Sequence, residues 1–177
     1  IYIAIHFKGE VIKSYFGDGA PWGVSINYIE EQTPLGTGGA LTLLPTEAWS
    51  SPLILLYGDL VTTVGYKQML AFHCDSGSDI TMAVREHLVE IPYGVVETRS
   101  QKALGLIEKP TERFFINAGI YVLNGAIMQS VTTQTPFDMP NLVSEAIDLG
   151  QEVMVFPVHE YWKDIGQLET LEQAKID

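Results

Sequence analysis

Two aspartates, Asp59 and Asp164, stand where an α/β chain would place metal-binding carboxylates. Asp59 follows Pro52-Leu53-Ile54-Leu55-Leu56-Tyr57-Gly58, an unbroken apolar run closed by a glycine. Ligands of open α/β sheets bind beyond the carboxyl ends of the strands, and a glycine there lets them approach closely. Asp164 lies in His159-Glu160-Tyr161-Trp162-Lys163-Asp164-Ile165-Gly166, again shortly before a glycine and a helical pattern. Magnesium takes one or two protein carboxylates and completes its octahedron with water and phosphate oxygens, so two separated aspartates would suffice. Each also has a plainer reading as a turn or helix-cap residue. For Asp59 the two readings balance; for Asp164 taken alone the turn is the better one.

Three further stretches carry chemical potential. Within Pro34-Leu35-Gly36-Thr37-Gly38-Gly39-Ala40-Leu41, the Gly36-Thr37-Gly38-Gly39 loop offers free backbone N–H groups at a helix start, suited to a base or phosphate, although a simple turn is the better reading of it alone. It is not a Walker loop, because no Gly-Lys-Ser/Thr follows, and Leu41 fills the third glycine position of the dinucleotide fingerprint. Glu108-Lys109-Pro110 pairs a hydrogen-bond acceptor for sugar hydroxyls with a cation for phosphate, or is simply a solvated hairpin end. Asn117, in Ile116-Asn117-Ala118-Gly119, either meets a ligand or satisfies backbone groups.

The elements that must position these residues follow from periodicity. Ile1 to Phe7 reads as a strand, Lys8 to Phe16 as an amphipathic helix stopped by Gly17-Asp18-Gly19, and Val24 to Ile29 as a strand. The glycine-rich stretch opens a short helix ended by Pro45. The apolar run to Tyr57 fits a strand covered on both faces. A helix over Tyr66 to Cys74 and a strand over Asp79 to Val84 come next. Closely spaced strands follow at Gly94 to Glu97, Ala103 to Glu108 and Phe114 to Leu123, the first two forming a hairpin around Thr98 to Lys102. Helices are expected at Gly125 to Val131, Pro140 to Leu149 and Gln167 to Lys175, with a strand at Val153 to Pro157. This order predicts one α/β domain with an open, mostly parallel sheet and antiparallel additions.

Composition narrows the function. The 177 residues are 46% hydrophobic and 18% charged, ordinary for a globular domain, and no stretch is apolar enough to span a membrane or act as a signal peptide. Twenty-two acidic residues against ten Lys and Arg give a net charge of −12, without the basic footprint that nucleic acid or an anionic membrane requires. A single cysteine, Cys74, excludes an internal disulfide framework, fits the reducing cytoplasm and reads as a small core or helix residue.

Five stretches, in one order and spanning nearly the whole chain, resemble the sugar-1-phosphate nucleotidyltransferase family, and especially its mannose-1-phosphate guanylyltransferase-like branch. They are Glu31 to Leu41, Leu56-Tyr57-Gly58-Asp59, Pro92 to Glu97, Glu108-Lys109-Pro110 with Phe115 to Tyr121, and Trp162 to Gly166. The resemblance implies a Rossmann-like three-layer α/β/α fold over residues 1–177. It implies that the phosphate of a sugar 1-phosphate attacks the α-phosphorus of an NTP and releases pyrophosphate, with Mg²⁺ held by Asp59 and Asp164. It implies nucleotide contacts from Glu31, Leu35, Gly36, Thr37, Gly39 and Gly58, with Leu35, Gly36 and Gly39 walling the base pocket. Gly94, Glu108 and Asn117 would meet the sugar and Lys109 a phosphate. Glu31 falls where the family sets a side chain against the base edge. A carboxylate there accepts from guanine N1–H and N2–H₂, which favours GTP; the competing reading is that Glu31 caps the loop.

The family also carries an amino-terminal strand, a glycine-rich loop with an arginine, and a Pro-Lys-Pro-type lysine, and nothing in these residues supplies them. The expectation is therefore a domain lacking its amino-terminal strand, inactive by itself, from a protein that leaves room for a homo-oligomer. Two rival functions are a nucleotide-sugar-binding regulatory subunit and a metal-dependent glycosyltransferase. The second typically shows Asp-x-Asp, whereas Asp59 precedes Leu60 and Val61. The sugar itself is not legible.

Overall fold

The computed structural model of the chain describes residues 1–127 and 136–166, together with 170, 172 and 174. In chain order the regular elements are β1 (Tyr2–Ile5), α1 (Gly9–Phe16), β2 (Asn27–Glu30), α2 (Gly36–Gly39), β3 (Leu53–Leu56), β4 (Leu60–Thr62), α3 (Tyr66–Ser76), β5 (Ile80–Glu90), β6 (Gly94–Arg99), β7 (Lys102–Glu108), β8 (Thr111–Leu123), α4 (Met139–Asp148), β9 (Val153–Pro157) and β10 (Trp162–Asp164). Short 3₁₀ turns at Ala20–Trp22, Ala40–Leu43 and Thr46–Trp49 fill the connections. The helix expected over 125–131 lies mostly outside the described residues. So does the one over 167–175, in which residues 170, 172 and 174 are helical.

The main sheet has the order β3-β8-β5-β9. Strand β8 runs antiparallel to both neighbours, while β5 and β9 are parallel, so β3, β5 and β9 point one way around a reversed centre. The carboxyl half of β8 explains why it is central. Tyr121 and Leu123 pack on one face with Leu41 and with Met139, Leu142, Val143 and Ala146 around α4. Ala118, Ile120 and Val122 pack on the other with Met69 of α3, Val64 and Val158. Period-two alternation of apolar residues on both faces thus gives a helix–sheet–helix sandwich. Each large side chain fully buried there contributes roughly 1.5–3 kcal/mol.

Two differences from the expected architecture have physical causes. Strand β3 is half-buried rather than covered on both faces, and Leu56 remains 47% exposed. Among the described residues it pairs with β8 only and forms a sheet edge, and β1 pairs with β2 in a separate parallel ribbon. The amino half of β8 and the distal half of β5 continue as an exposed two-stranded arm, Glu86–Glu90 against Thr111–Phe115, beside the β6–β7 hairpin. Strands expected to begin at Phe114 and end at Val84 are longer because each supplies the other's ladder.

Candidate active site

The apolar run of β3 ends at Tyr57, and Gly58-Asp59 turns the chain into β4. Strand β4 pairs antiparallel with β10, with Leu60 opposite Asp164 and Thr62 opposite Trp162. The Ile165 N–H donates to the Asp59 carbonyl at 2.8 Å, so the two aspartates, 105 positions apart in the numbering, become neighbours. A Cβ built on Gly166 would lie 3.1 Å from Asp164 Oδ1 and 3.2 Å from Asp59 Oδ2. Both carboxylates therefore converge above the same hydrogen-only residue. Both are exposed, and Gly58 has open space around it. Asp164 Oδ1 also accepts the Gly166 N–H at 2.8 Å, which orients it without neutralising it.

A cation fits this donor set on chemical grounds. Two exposed carboxylates suit a hard divalent ion, and solvent access leaves room for water and phosphate ligands. Among the described residues no cluster of three or more His, Cys, Asp or Glu forms a metal cage.

Behind the pair, β8 is bent by a bulge: the ladder to β5 breaks between Met82 and Val84, opposite residues 118–120. Gly119 makes the bulge feasible, with φ of 69° and no room for a side chain against Tyr57 and Leu60. Asn117 Oδ1 accepts the Gly119 N–H at 2.9 Å, and its Nδ2 donates to the Tyr121 hydroxyl, which sits 3.5 Å from that of Tyr57. Burial and then Tyr57 push the Tyr121 phenol above its ordinary range, so it stays neutral. The Trp162 indole N–H donates to the Ala118 carbonyl at 2.8 Å and ties β10, hence Asp164, to the bulge. Of the two readings of Asn117, the structure displays the one in which it satisfies its own chain. Tyr57, Gly119 and Tyr121 belong to this network although local sequence pattern marks them only as core.

The glycine-rich loop is held from both sides. Glu31 Oε2 accepts the Leu35 N–H at 3.2 Å, so one carboxylate oxygen caps the loop. The Thr37 N–H donates to Asp138 Oδ1 at 2.9 Å and the Gly38 N–H to the Phe137 carbonyl at 3.0 Å. This corrects the expectation of free amides at Thr37 and Gly38: both are engaged within the chain. Gly39 is buried, and Gly36 takes φ of 80° where Phe137 and Asp138 leave no space for a Cβ.

Gly94 and Glu108 face each other across the β6–β7 ladder, where a Cβ on Gly94 would come within 2.9 Å of Glu108 Oε2. Lys109 follows in the left-handed region, φ 46°, and its N–H donates to Tyr93 O at 3.2 Å. A non-glycine residue held there is strained, a condition that recurs at functional positions. The extended arm separates this group from Asn117: six residues from Thr111 to Asn117 span about 20 Å at roughly 3.3 Å each. The structure thus joins Asp59 with Asp164 and Gly94 with Glu108 and Lys109, but sets Asn117 at the other end of the arm from the latter.

The α/β sandwich thus carries a carboxylate pair at Asp59 and Asp164 and a glycine-rich loop held within the chain. A family model described as nucleotidyl transferase matches residues 1–177; the chain belongs to the nucleotidyl transferase family. D-glycero-alpha-D-manno-heptose 1-phosphate guanylyltransferase of Aneurinibacillus thermoaerophilus is 30% identical over 167 residues, covering 94% of this chain and 72% of that protein. The catalytic subunit beta of mannose-1-phosphate guanylyltransferase from Drosophila melanogaster is 30% identical over 173 residues, covering 94% and 47%. The chain therefore spans about half the length of this second relative. The crystal structure of HddC from Yersinia pseudotuberculosis complexed with GMP-PN has a TM-score of 0.70 and 22% identity, covering 100% of this chain and 78% of that one. That likeness is one of fold.

Proposed function

We propose that the protein transfers a nucleoside monophosphate, from GTP by preference, to a sugar 1-phosphate and releases pyrophosphate. The observation that carries this reading is the convergence of Asp59 and Asp164 over Gly166 in a chain of the nucleotidyl transferase family. In the reaction an oxygen of the sugar phosphate forms a bond to the α-phosphorus, and the bond from that phosphorus to the pyrophosphate oxygen breaks. Such chemistry needs in-line positioning and charge neutralisation more than it needs a protein nucleophile. Asp59 and Asp164 would hold Mg²⁺, which when bound supplies positive charge at the phosphate oxygens.

The remaining roles are those that membership of the family suggests. Leu35, Gly36, Thr37 and Gly39 shape the nucleotide loop, and Gly58 leaves the approach to Asp59 open. Because Glu31 spends one oxygen on the Leu35 N–H, the preference for GTP now rests on the guanylyltransferase relatives more than on Glu31 reading guanine. Asn117, whose amide holds the bulge at Gly119 and Tyr121, is one sugar contact of this reading. Gly94 and Glu108, which face each other across the β6–β7 ladder, are the further sugar contacts, and Lys109 is the phosphate contact. Among the described residues no helix is long and apolar enough to cross a membrane, and the exposed Cys74 thiol fits a reducing cytoplasm.

The test is pyrophosphate release by the full gene product with Mg²⁺ and a matrix of NTPs and sugar 1-phosphates. Release with GTP and at least one hexose or heptose 1-phosphate is the expected result. No release with any pair overturns the catalytic reading in favour of a binding subunit, and release with UTP alone overturns the choice of donor.

A further inference from the structure

Asp138 departs from the usual behaviour of its position. It is the N-cap of α4, where an aspartate ordinarily accepts an N–H from the first turn of its own helix, yet it makes no such bond. The reason is local. Pro140 has no N–H to offer, and the Asn141 N–H donates to the Asp138 backbone carbonyl at 3.0 Å. The side chain is left with nothing to cap and turns instead to a loop 101 residues away. Its Oδ1 accepts both the Thr37 N–H at 2.9 Å and the Thr37 hydroxyl at 3.2 Å. The Thr37 hydroxyl oxygen in turn accepts the Met139 N–H at 2.9 Å, so each segment caps the other.

The surrounding fit is equally close. The Phe137 N–H donates to Leu35 O at 2.9 Å, and the Gly38 N–H to Phe137 O at 3.0 Å. A Cβ on Gly36 would overlap the Phe137 carbonyl and lie 2.9 Å from Asp138 Oδ1, and one on Gly38 would overlap the Phe137 ring. Both glycines are thus needed for the two segments to touch. Met139 and Leu142 of the same helix are buried in the core with Leu41, so the clamp is anchored to the hydrophobic core.

We propose that Asp138 is a positioning residue for nucleotide binding: it fixes the backbone of residues 35–39 through Thr37, so that the loop meets the nucleotide in a preset conformation. The role rests on the reading of that loop as the nucleotide site. A preset loop loses little conformational freedom when the ligand arrives, which strengthens binding without any contact from Asp138 itself. The effect falls on the nucleotide and spares the sugar phosphate.

The test compares wild type, Asp138→Ala, Asp138→Asn, Thr37→Val and Thr37→Ser in the full gene product. Readouts are the KM for GTP and for the sugar 1-phosphate, the Kd for GTP by calorimetry, thermal stability, and amide hydrogen exchange of residues 35–39. Asp138→Ala and Thr37→Val should raise the KM and Kd for GTP about tenfold, leave the KM for the sugar 1-phosphate within about twofold, and speed exchange of the loop amides. Asp138→Asn and Thr37→Ser, which keep an acceptor or a hydroxyl, should recover most of the loss. Unchanged GTP affinity despite faster loop exchange overturns the proposal. So does an equal loss for both substrates that tracks a fall in melting temperature. The calorimetric Kd needs no turnover, so a protein that binds GTP in this Asp138-dependent way but releases no pyrophosphate refutes the catalytic reading while sustaining this one.

Discussion

Replacing Gly166 by alanine probes the carboxylate pair without removing either member. The backbone of Gly166 lies outside the left-handed region, so alanine is tolerated there and should stabilise the fold by about 0.4–1 kcal/mol through the unfolded chain. The added methyl would stand 3.1 Å from Asp164 Oδ1 and 3.2 Å from Asp59 Oδ2, closer than ordinary contact, so both carboxylates must retreat by tenths of an ångström. Turning a side chain off its rotamer costs about 0.5–1.5 kcal/mol, and two are displaced, so restoring the geometry that Mg²⁺ demands should take about 1–3 kcal/mol. At about 1.4 kcal/mol per factor of ten, the Mg²⁺ concentration for half-maximal pyrophosphate release should rise roughly tenfold. The assay is a Mg²⁺ titration at saturating GTP and sugar 1-phosphate, alongside urea unfolding without metal. Higher Mg²⁺ demand with unchanged or increased stability is the expected pattern. An unchanged Mg²⁺ requirement, or activity that falls only in step with stability, would refute the reasoning.

Other expectations concern the scaffold and the arm. Gly119→Ala forces a side chain into φ 69° with its Cβ 2.8 Å from the Tyr57 ring, and urea unfolding should show a loss of about 2–4 kcal/mol from left-handed strain and overpacking; a loss below about 0.5 kcal/mol would remove the bulge argument. Burial first of all holds the His73 imidazole below its ordinary 6.5, with Nδ1 2.9 Å from the Thr81 hydroxyl. The unfolded chain then takes up a proton near pH 6.5 that the native state resists, so this contribution is complete above 6.5 and is lost as pH falls through the native value. His73→Gln should flatten that decline in unfolding free energy between pH 7.5 and 5.5, and an unchanged slope would point to other groups. Lys109→Gly should relieve about 1–2 kcal/mol of left-handed strain while raising the KM for the sugar 1-phosphate; a KM that stays level would detach Lys109 from the substrate.

The elements with strong local signals were readable from sequence, and the contacts that assemble the site were not. Helices α1, α3 and α4 announce themselves by apolar spacing and glycine stops, and β9 falls at the expected residues. Strands β4 and β10 are three residues each and exist only because they pair with one another. Asp59 and Asp164 could be suspected singly, but their meeting over Gly166 depends on that ladder. Glu31 shows the reverse case: chemistry allows it to read guanine, and only the folded loop reveals it accepting from Leu35. Asp138 is not singled out in the sequence, because its bond to Thr37 joins segments 101 positions apart. The half-buried state of β3 was hidden because an apolar run records what a strand can bury, not which neighbours it has.

The most direct test of the central claim is the Mg²⁺-dependent rate of pyrophosphate release in Asp59→Asn, Asp164→Asn and the double variant of the full gene product, with folding checked by circular dichroism. If both carboxylates serve one cation, each single change should lower kcat/KM at least about 100-fold, and the double variant should be little worse than either, because partners acting as a unit are not additive. A single variant that retains wild-type activity, or losses that multiply in the double variant, would contradict the account.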